Sequence, residues 1–259
     1  MPNQIIFEKM HGAGNDFIVI DNRFQNFIPN KVTIQNLSNR NTGIGFDQLI
    51  LIDDSDLTQC DASYRFFNPD GTEAEQCGNG QRCISHYLYT KTPNQSKYCV
   101  SGLAGLMHSQ IIKNGLVMIN MGSTRTIQSI QLKDSMCYEV NFGNPHLIHI
   151  IDNVDSIDLS KLNSTYTSKY PDGINFEAVQ IIDSKTIKLR VHERGTGETQ
   201  ACGSGACATV AALQFDNKLS DKVKVILPGG NLVVEYKHKD NNYYLSGPAV
   251  HVFTGEISI

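Results

Sequence analysis

A pattern that occurs twice constrains the fold of this chain more than any other feature. The stretches 73–83 (EAEQCGNGQRC) and 197–207 (GETQACGSGAC) each place Cys-Gly-polar-Gly after an acidic loop and before a helix-like segment. Their leading cysteines, Cys77 and Cys202, stand 125 residues apart (202 − 77), about half of the 259-residue chain. We therefore predict an internal duplication, with one cysteine at one helix start in each half.

The residues that lead to the two cysteines align as well. Asn68 and Glu193 each stand nine residues before their cysteine. The Gly-Asn pairs that end at Asn15 and Asn144 lie 129 residues apart (144 − 15). A chain of this length folds as one large domain or two small ones, and the duplication favours two.

Composition and charge exclude several classes of function. A net charge of −4, a pI near 6.0 and the lack of a Lys/Arg cluster argue against a nucleic-acid surface. The first residues lack the basic and apolar regions of a secretory signal, and no apolar run approaches the roughly 20 residues of a membrane span. We expect a soluble, cytoplasmic protein without membrane partners. Its seven cysteines are expected to be thiols, of which Cys60, Cys99 and Cys137 pack as small apolar residues.

The order of predicted elements indicates an α+β fold. Each half offers many short strands and one long helix, which differs from the strict strand–helix alternation of a doubly wound sheet. The first long helix follows Cys77 and runs to about Thr90, and residues 206–215 form a second helix that is apolar nearly all round. Residues 155–168 are predicted to be helical, and the polar stretch 124–134 is predicted to connect the halves.

Cysteines at these positions suit proton transfer. Glycines on either side of a polar residue let the backbone approach a ligand, and the free N–H groups of a helix start favour negative charge there. A thiol at such a site is expected to have a lowered pKa. Inverting a carbon centre without a cofactor needs a base on one face and an acid on the other, which two such thiols would supply.

Three other interpretations of the repeated pattern remain. The cysteines could be incidental to two buried helix starts. A metal site formed by Cys77, Cys83, Cys202 and Cys207 is disfavoured, because spacings of six and five residues do not match the usual zinc knuckle. Nucleotide binding is the third interpretation, since residues 203–208 fit a loose G-x-G-x-x-A pattern. It is disfavoured because the dinucleotide fingerprint requires a strand directly before the pattern, and here a polar loop intervenes.

Motifs in order over nearly the whole chain resemble the signature set of the diaminopimelate epimerase family. They are residues 10–17 (MHGAGNDF), 45–48 (GFDQ), 67–71 (FNPDG), 77–83 (CGNGQRC), 143–146 (GNPH), 173–175 (GIN), 193–195 (ERG), 197–207 and 247–252 (GPAVHV). The segments around the two cysteines are the most specific. The resemblance implies interconversion of LL- and meso-2,6-diaminopimelate, in lysine and peptidoglycan precursor biosynthesis, without pyridoxal phosphate, metal or other cofactor.

The resemblance also implies a fold and a set of site residues. The fold is two pseudo-symmetric domains, residues 1–121 with 248–259 and residues 122–247, each a curved, barrel-like sheet around a central helix, with the active site between them. Cys77 and Cys202 would be the opposed acid and base, and His146 and Glu193 would adjust their pKa values. Substrate contacts would come from Asn15, Gln48, Asn68, Gly78, Asn79, Asn144, Asn175, Glu193, Arg194, Gly203 and Ser204. The family further implies a homodimer.

Two alternatives to this function stay open. Other enzymes of the same fold include proline or hydroxyproline racemases and isomerases with a carboxylate base, although the paired cysteines disfavour the carboxylate type. The non-enzymatic alternative is a protein that binds a small anionic ligand at its helix starts without catalysing a reaction.

Overall fold

The computed structural model describes residues 4–133 and 135–259. Residues 1–3 lie outside the described part. They belong to the first predicted domain and to the N-terminal stretch in which no secretory signal was predicted. Asp134, at the end of the predicted connection, also lies outside it. Contacts divide the chain into two units. The first unit runs to Ile119 and includes Pro248–Ile259, and the second unit is Asn120–Gly247.

The first unit is built mainly of strands. Its elements are β1 (Gln4–Gly12), β2 (Asn15–Asp21), α1 (Lys31–Ser38), β3 (Gln48–Asp53), β4 (Ala62–Phe67), β5 (Glu73–Ala74), α2 (Gly78–Lys91), β6 (Lys97–Gly102), β7 (Gly105–Ile111) and β8 (Val117–Gly122), whose last residues cross the unit boundary. Short 3-10 turns occur at Asn22–Phe24 and Lys113–Gly115. The strands β7 and β8 pair antiparallel and form a hairpin with Asn114 and Gly115 at its turn.

The second unit repeats this plan, and the last strand of the chain completes the first unit. The elements of the second unit are β9 (Thr126–Leu132), β10 (Ser135–Asn141), β11 (Pro145–Ile150), α3 (Leu159–Thr167), β12 (Asn175–Asp183), β13 (Thr186–Glu193), β14 (Gly197–Thr199), α4 (Gly203–Phe215), β15 (Lys222–Leu227), β16 (Gly230–Lys237) and β17 (Asn242–Gly247). A 3-10 turn lies at Val154–Ser156, and β18 (Val250–Ser258) pairs with β1.

Strand pairing shows the duplication directly. The first unit has the order β18-β1-β2-β3-β4-β6-β7-β8, and the second has β9-β10-β11-β12-β13-β15-β16-β17. The strand pairings along the two orders match in direction one for one, and only the third and the fifth of each order are parallel. β2/β3 and β11/β12 are parallel, and so are β4/β6 and β13/β15. The strand β18 therefore occupies in the first unit the place that β9 occupies in the second.

One long helix packs against the strands of each unit. Helix α4 contacts β9, β10, β11, β12, β16 and β17, and its residues from Gly205 to Leu213 are all buried. This agrees with its composition, since a helix that is apolar on every side must be covered on every side. Helix α2 contacts β1, β2, β3 and β7. The predicted α+β fold, with many short strands and few helices, is confirmed.

Two local predictions were wrong. The stretch expected to connect the halves contains β9, which pairs with β10 from Thr126↔Asn141 to Ser135↔Leu132. Its polar residues misled the prediction, because a strand with one solvent-facing side carries polar residues there. The helix predicted over 155–168 begins only at Leu159, where the Asp158 side chain accepts a hydrogen bond from the Lys161 N–H at 3.0 Å. Within the described residues, no helix has the length and apolar character of a membrane span.

Candidate active site

Each of the two motif cysteines caps the long helix of its unit. Cys77 precedes α2 with extended backbone, and its Sγ accepts a hydrogen bond from the Gly80 N–H at 3.4 Å. Cys202 precedes α4 in the same way, and its Sγ accepts from the Gly205 N–H at 3.4 Å. Sulfur thus occupies the position where Ser, Thr or Asp usually caps a helix. Both sulfurs lie at the positive end of a helix dipole, which stabilises negative charge.

The second glycine of each motif is required by close packing. A Cβ on Gly80 would lie 2.5 Å from the Phe66 ring, and a Cβ on Gly205 would lie 2.7 Å from Oε1 of Glu177. Both distances are too short for a methyl group. The motif glycines therefore let a side chain from a neighbouring strand reach the first turn of the helix.

The residues at the first two positions of each helix are those expected to contact a substrate carboxylate. Gly78 and Asn79 begin α2, and Gly203 and Ser204 begin α4. Backbone N–H groups in a first helical turn have no partner within the helix. They are suited to bind a carboxylate and to stabilise charge that develops on it.

Amide side chains surround Cys77. The Cys77 thiol donates to Oδ1 of Asn15 at 3.6 Å, and Nδ2 of Asn79 donates to the same oxygen at 3.2 Å. The Asn15 amide nitrogen donates to Asp47 at 2.8 Å, which fixes the orientation of the amide. The guanidinium of Arg82 is fully buried and donates to Oδ1 of Asn79 at 2.9 Å. A buried positive charge therefore lies on the helix that Cys77 caps.

Gln48 and Asn68 form a second polar group in the first unit. Nε2 of Gln48 donates to Oδ1 of Asn68 at 3.0 Å, and Nδ2 of Asn68 donates to the Thr72 hydroxyl at 3.1 Å. Oε1 of Gln48 is buried and has no hydrogen-bond partner among residues 4–133 and 135–259. Because buried acceptors are normally satisfied, this oxygen is suited to accept a hydrogen bond from a ligand ammonium.

Charged side chains surround Cys202 instead. Its thiol lies 3.5 Å from the Ser204 hydroxyl, and the charge of the Glu193 carboxylate acts on it. The Thr199 hydroxyl donates to Oε1 of Glu193 at 2.6 Å, which orients this carboxylate. Cys202 is buried, with 6% of its surface exposed.

His146 and Glu177 form a buried pair in the same unit as Cys202. Nδ1 of His146 and Oε1 of Glu177 are 2.6 Å apart, and both side chains are fully buried. Nε2 of His146 lies 2.9 Å from Oδ1 of Asn144, so both ring nitrogens are engaged. Sequence reasoning identified His146 and Asn144 but missed Glu177 and Thr199. A single acidic residue inside the apolar strand β12 was the available signal for Glu177.

Asn175 and Arg194 lie beside this group. Oδ1 of Asn175 accepts from the Arg194 backbone N–H at 3.0 Å, and its Nδ2 donates to the Pro145 carbonyl at 3.2 Å. An amide has two acceptor and two donor sites, so one of each remains for a ligand. The Arg194 side chain is exposed, and its guanidinium donates to the Asp172 carbonyl at 3.5 Å.

These surroundings raise the pKa of the Cys202 thiol well above its ordinary value. Burial is the largest cause, and the negative charges of Glu193 and Glu177 add to it, while hydrogen bonds from Ser204 and Gly205 act in the opposite direction. Burial also raises the pKa of Glu193, and Glu177 contributes to that rise. The expectation that a helix start alone would lower the pKa of this thiol is therefore wrong, since desolvation and two carboxylates outweigh it.

The duplicated strands bring different chemistry to the two cysteines. Phe17 lies opposite Gln48 in the β2/β3 pair, as His146 lies opposite Asn175 in β11/β12. By the same registers and by the spacing to the cysteines, Phe17, Ile50 and Asn68 correspond to His146, Glu177 and Glu193. Three ionisable residues thus replace three uncharged ones, so that the units share a backbone plan but differ in electrostatics.

No group of three or more His, Cys, Asp and Glu side chains that could hold a metal ion occurs in the described part of the chain. All seven cysteines lie within that part, and none of them forms a disulfide.

Comparison with known proteins identifies the family. A family model described as diaminopimelate epimerase matches residues 7–127 and 138–252. A PhzF-family phenazine biosynthesis protein from Bacillus anthracis has a similar structure, with a TM-score of 0.76, 15% identity and coverage of 99% of both chains. A hydroxyproline epimerase from Agrobacterium vitis, with bound trans-4-hydroxy-L-proline, has a TM-score of 0.73 at 12% identity and covers 100% of this chain and 94% of its own. A probable proline racemase from Agrobacterium radiobacter K84 has a TM-score of 0.72 at 13% identity, with coverage of 98% and 93%. At these identities the solved structures share the fold, whereas the family model matches most of the sequence, and the chain belongs to the diaminopimelate epimerase family.

Proposed function

We propose that this protein is a cofactor-independent epimerase that interconverts LL- and meso-2,6-diaminopimelate, in lysine and peptidoglycan precursor biosynthesis. The observation that supports it most is the pair of equivalent helix caps, each with a thiol at the cap position and Gly-polar-Gly in the first turn of the helix. In this proposal one thiol from each unit acts on the same α-carbon. One sulfur removes the α-proton and the other delivers a proton to the opposite face.

The two thiols are assigned different roles. Cys202 rests as the thiol, because burial and the neighbouring carboxylates raise its pKa. Cys77 acts first as the base, once it has lost the proton that it donates to Oδ1 of Asn15. Amide groups rather than carboxylates surround it, and the helix that it caps carries the buried Arg82. One thiolate and one thiol are what a single inversion requires.

Proton balance follows from this assignment. Cys77 gains the α-proton and Cys202 loses its own proton, so after one turnover the charges are exchanged. Before the next turnover in the same direction, Cys202 takes up a proton from solvent and Cys77 releases one to it. During the reaction the first-turn N–H groups of α2 and α4 would stabilise negative charge on the substrate carboxylate.

The distal end of the substrate carries an ammonium and a carboxylate, which amides and an arginine can bind together. The proposal assigns this contact to Asn15, Gln48, Asn68, Asn144, Asn175, Glu193 and Arg194. The buried oxygen of Gln48 is the clearest candidate for an ammonium partner. A substrate without the second amino-acid group, such as proline, would leave these groups unsatisfied.

Deuterium exchange tests the proposal. The protein is incubated with LL-diaminopimelate in D2O with a thiol reductant, and the α-positions are examined by NMR. Deuterium should enter one α-position as meso product forms. Exchange into proline with none into diaminopimelate would instead indicate a racemase of the proline type, and binding without exchange would indicate a binding protein.

Variants separate catalysis from folding. Cys77→Ala and Cys202→Ala should each lose epimerisation, whereas Cys137→Ala, a buried cysteine outside the site, should keep it. Circular dichroism of each variant checks that the fold is retained. Equal loss of activity in all three would contradict the assigned roles. The expected homodimer is a separate proposal, which sedimentation velocity tests.

A further inference from the structure

Two cysteines outside the candidate active site lie against each other. Sγ of Cys60, in the loop before β4, is 3.0 Å from Sγ of Cys99 in β6. A covalent S–S bond is about 2.05 Å long, so the two sulfurs stand in direct non-bonded contact. Neither residue contributes to the groups around Cys77 or Cys202, and the sequence alone predicted only apolar packing for them.

Two hydrogen bonds between Asp61 and Cys99 hold the segment that follows Cys60 against β6. The Asp61 N–H donates to the Cys99 carbonyl at 2.7 Å, and the Cys99 N–H donates to the Asp61 carboxylate at 2.8 Å. The parallel register of β4 and β6 continues this contact, with Ala62 opposite Val100. The sulfur contact is therefore set by paired strands rather than by a chance side-chain orientation.

The two thiols differ in access to solvent. Cys60 is half-buried at the surface, whereas Cys99 is buried with 8% of its surface exposed. Burial raises the pKa of Cys99 to about 12, and the hydrogen bond with Cys60 contributes. A dissolved reagent thus meets Cys60 first, and Cys99 can react only with a sulfur that is already beside it.

We propose that Cys60 and Cys99 form a thiol–disulfide exchange site that reacts with low-molecular-weight disulfides and closes a reversible intramolecular disulfide. This proposal is independent of the epimerase function.

The exchange occurs in two steps. The Cys60 thiolate attacks one sulfur of the small disulfide, which forms a mixed disulfide and releases the first small thiolate. Cys99 then loses its proton to solvent and attacks Sγ of Cys60, which forms the Cys60–Cys99 bond and releases the second small thiolate. The small disulfide is reduced to two thiols, and the two cysteines are oxidised by two electrons.

The bond would close the part of the chain that carries the first motif. Residues between 60 and 99 include β4, β5, Cys77 and helix α2. Closing this loop restricts the unfolded chain and stabilises the folded first unit. The oxidised protein should therefore unfold at a temperature higher by roughly 5 °C than the reduced protein. Cys77 itself takes no part in the bond.

Peptide mapping of the full-length protein tests the site. The native protein is equilibrated with oxidised glutathione, unfolded in N-ethylmaleimide to block free thiols, and digested with trypsin without reduction. Trypsin separates the relevant cysteines, since Cys60, Cys77, Cys83 and Cys99 fall in peptides 41–65, 66–82, 83–91 and 98–113. We expect peptides 41–65 and 98–113 to be linked, and peptides 66–82 and 83–91 to stay outside that link.

Two variants check the order of the steps. In Cys99→Ala the glutathione adduct on Cys60 should accumulate, and in Cys60→Ala Cys99 should remain a free thiol. Neither variant should show the rise in unfolding temperature on oxidation. A persistent adduct on Cys60 in the wild-type protein, or a link that joins peptide 66–82 to peptide 41–65 or 98–113, would overturn the proposal. The wild-type measurement decides the matter even if a variant fails to fold.

Discussion

Replacing Glu177 by glutamine removes one negative charge beside Cys202 and keeps the shape of the buried side chain. A Cβ on Gly205 would lie 2.7 Å from Oε1 of Glu177 and 3.4 Å from Sγ of Cys202. The two charge-bearing atoms are therefore at most about 6 Å apart, which is the two distances added. At an effective dielectric constant of about 20, charges at that separation repel by about 3 kcal/mol.

This repulsion sets the size of the expected effect. Without it, the Cys202 thiolate is easier to form, and the pKa of the thiol falls. An energy of about 3 kcal/mol corresponds to about a 100-fold change in the thiolate fraction, and partial screening reduces it to between about 10- and 100-fold. The alkaline limit of activity should move to lower pH as well, because Cys202 must start as a thiol in the proposed mechanism.

Alkylation kinetics provide the assay. Iodoacetamide reacts with thiolates, so its rate at Cys202, followed by mass spectrometry between pH 7 and 9, reports the thiolate fraction. Glu198→Gln is the matched control, since Glu198 is an acidic residue of the same unit that pairs with Arg190. We expect faster labelling in Glu177→Gln and no change in Glu198→Gln. An unchanged or slower rate in a folded Glu177→Gln protein would refute the electrostatic argument.

Three further predictions concern stability. Gly205→Ala should lower the unfolding temperature, because a methyl group 2.7 Å from the Glu177 carboxylate overpacks the site at a cost of about 1–3 kcal/mol, whereas the gain in helix propensity is about 1 kcal/mol. Thermal unfolding measures the change, with Ser204→Ala as a control for which no change is expected. Burial raises the pKa of Cys83 from 9.0 to about 12, so the folded state keeps a proton that the unfolded state loses, and the free energy of unfolding should fall as the pH rises above 9. Denaturant unfolding at a series of pH values should show a weaker fall for Cys83→Ala, and a fall equal to that of the wild-type protein would contradict this. Although burial opposes it, hydrogen bonds from Arg40 and Lys9 lower the pKa of Asp16 from 3.8 to about 2, so the ionised carboxylate stabilises the fold above pH 3.8 and this stabilisation is lost as the pH falls towards 2. In acid unfolding, Asp16→Asn should lose less stability over that range than the wild-type protein, and an equal loss would contradict this.

Some failures of prediction have a common physical cause. The strand β9 was taken for a connection because polar composition describes one exposed face and says nothing of the pairing partner, which is β10. The importance of Glu177 was missed because it depends on a register between β11 and β12 and on the proximity of Gly205. The Cys60–Cys99 contact joins residues 39 apart in sequence, which no local pattern reveals.

By itself, the sequence determined the duplication, the two capping cysteines and the family. These properties are local or repeated, since a helix cap, a close-approach glycine and a spacing between copies are all encoded within a few adjacent residues. Only the tertiary structure decided the direction in which the pKa of Cys202 is shifted. The pKa of Cys202 depends on desolvation and on the Glu193 and Glu177 charges that strand pairing brings to one helix start, and these act through space rather than along the chain.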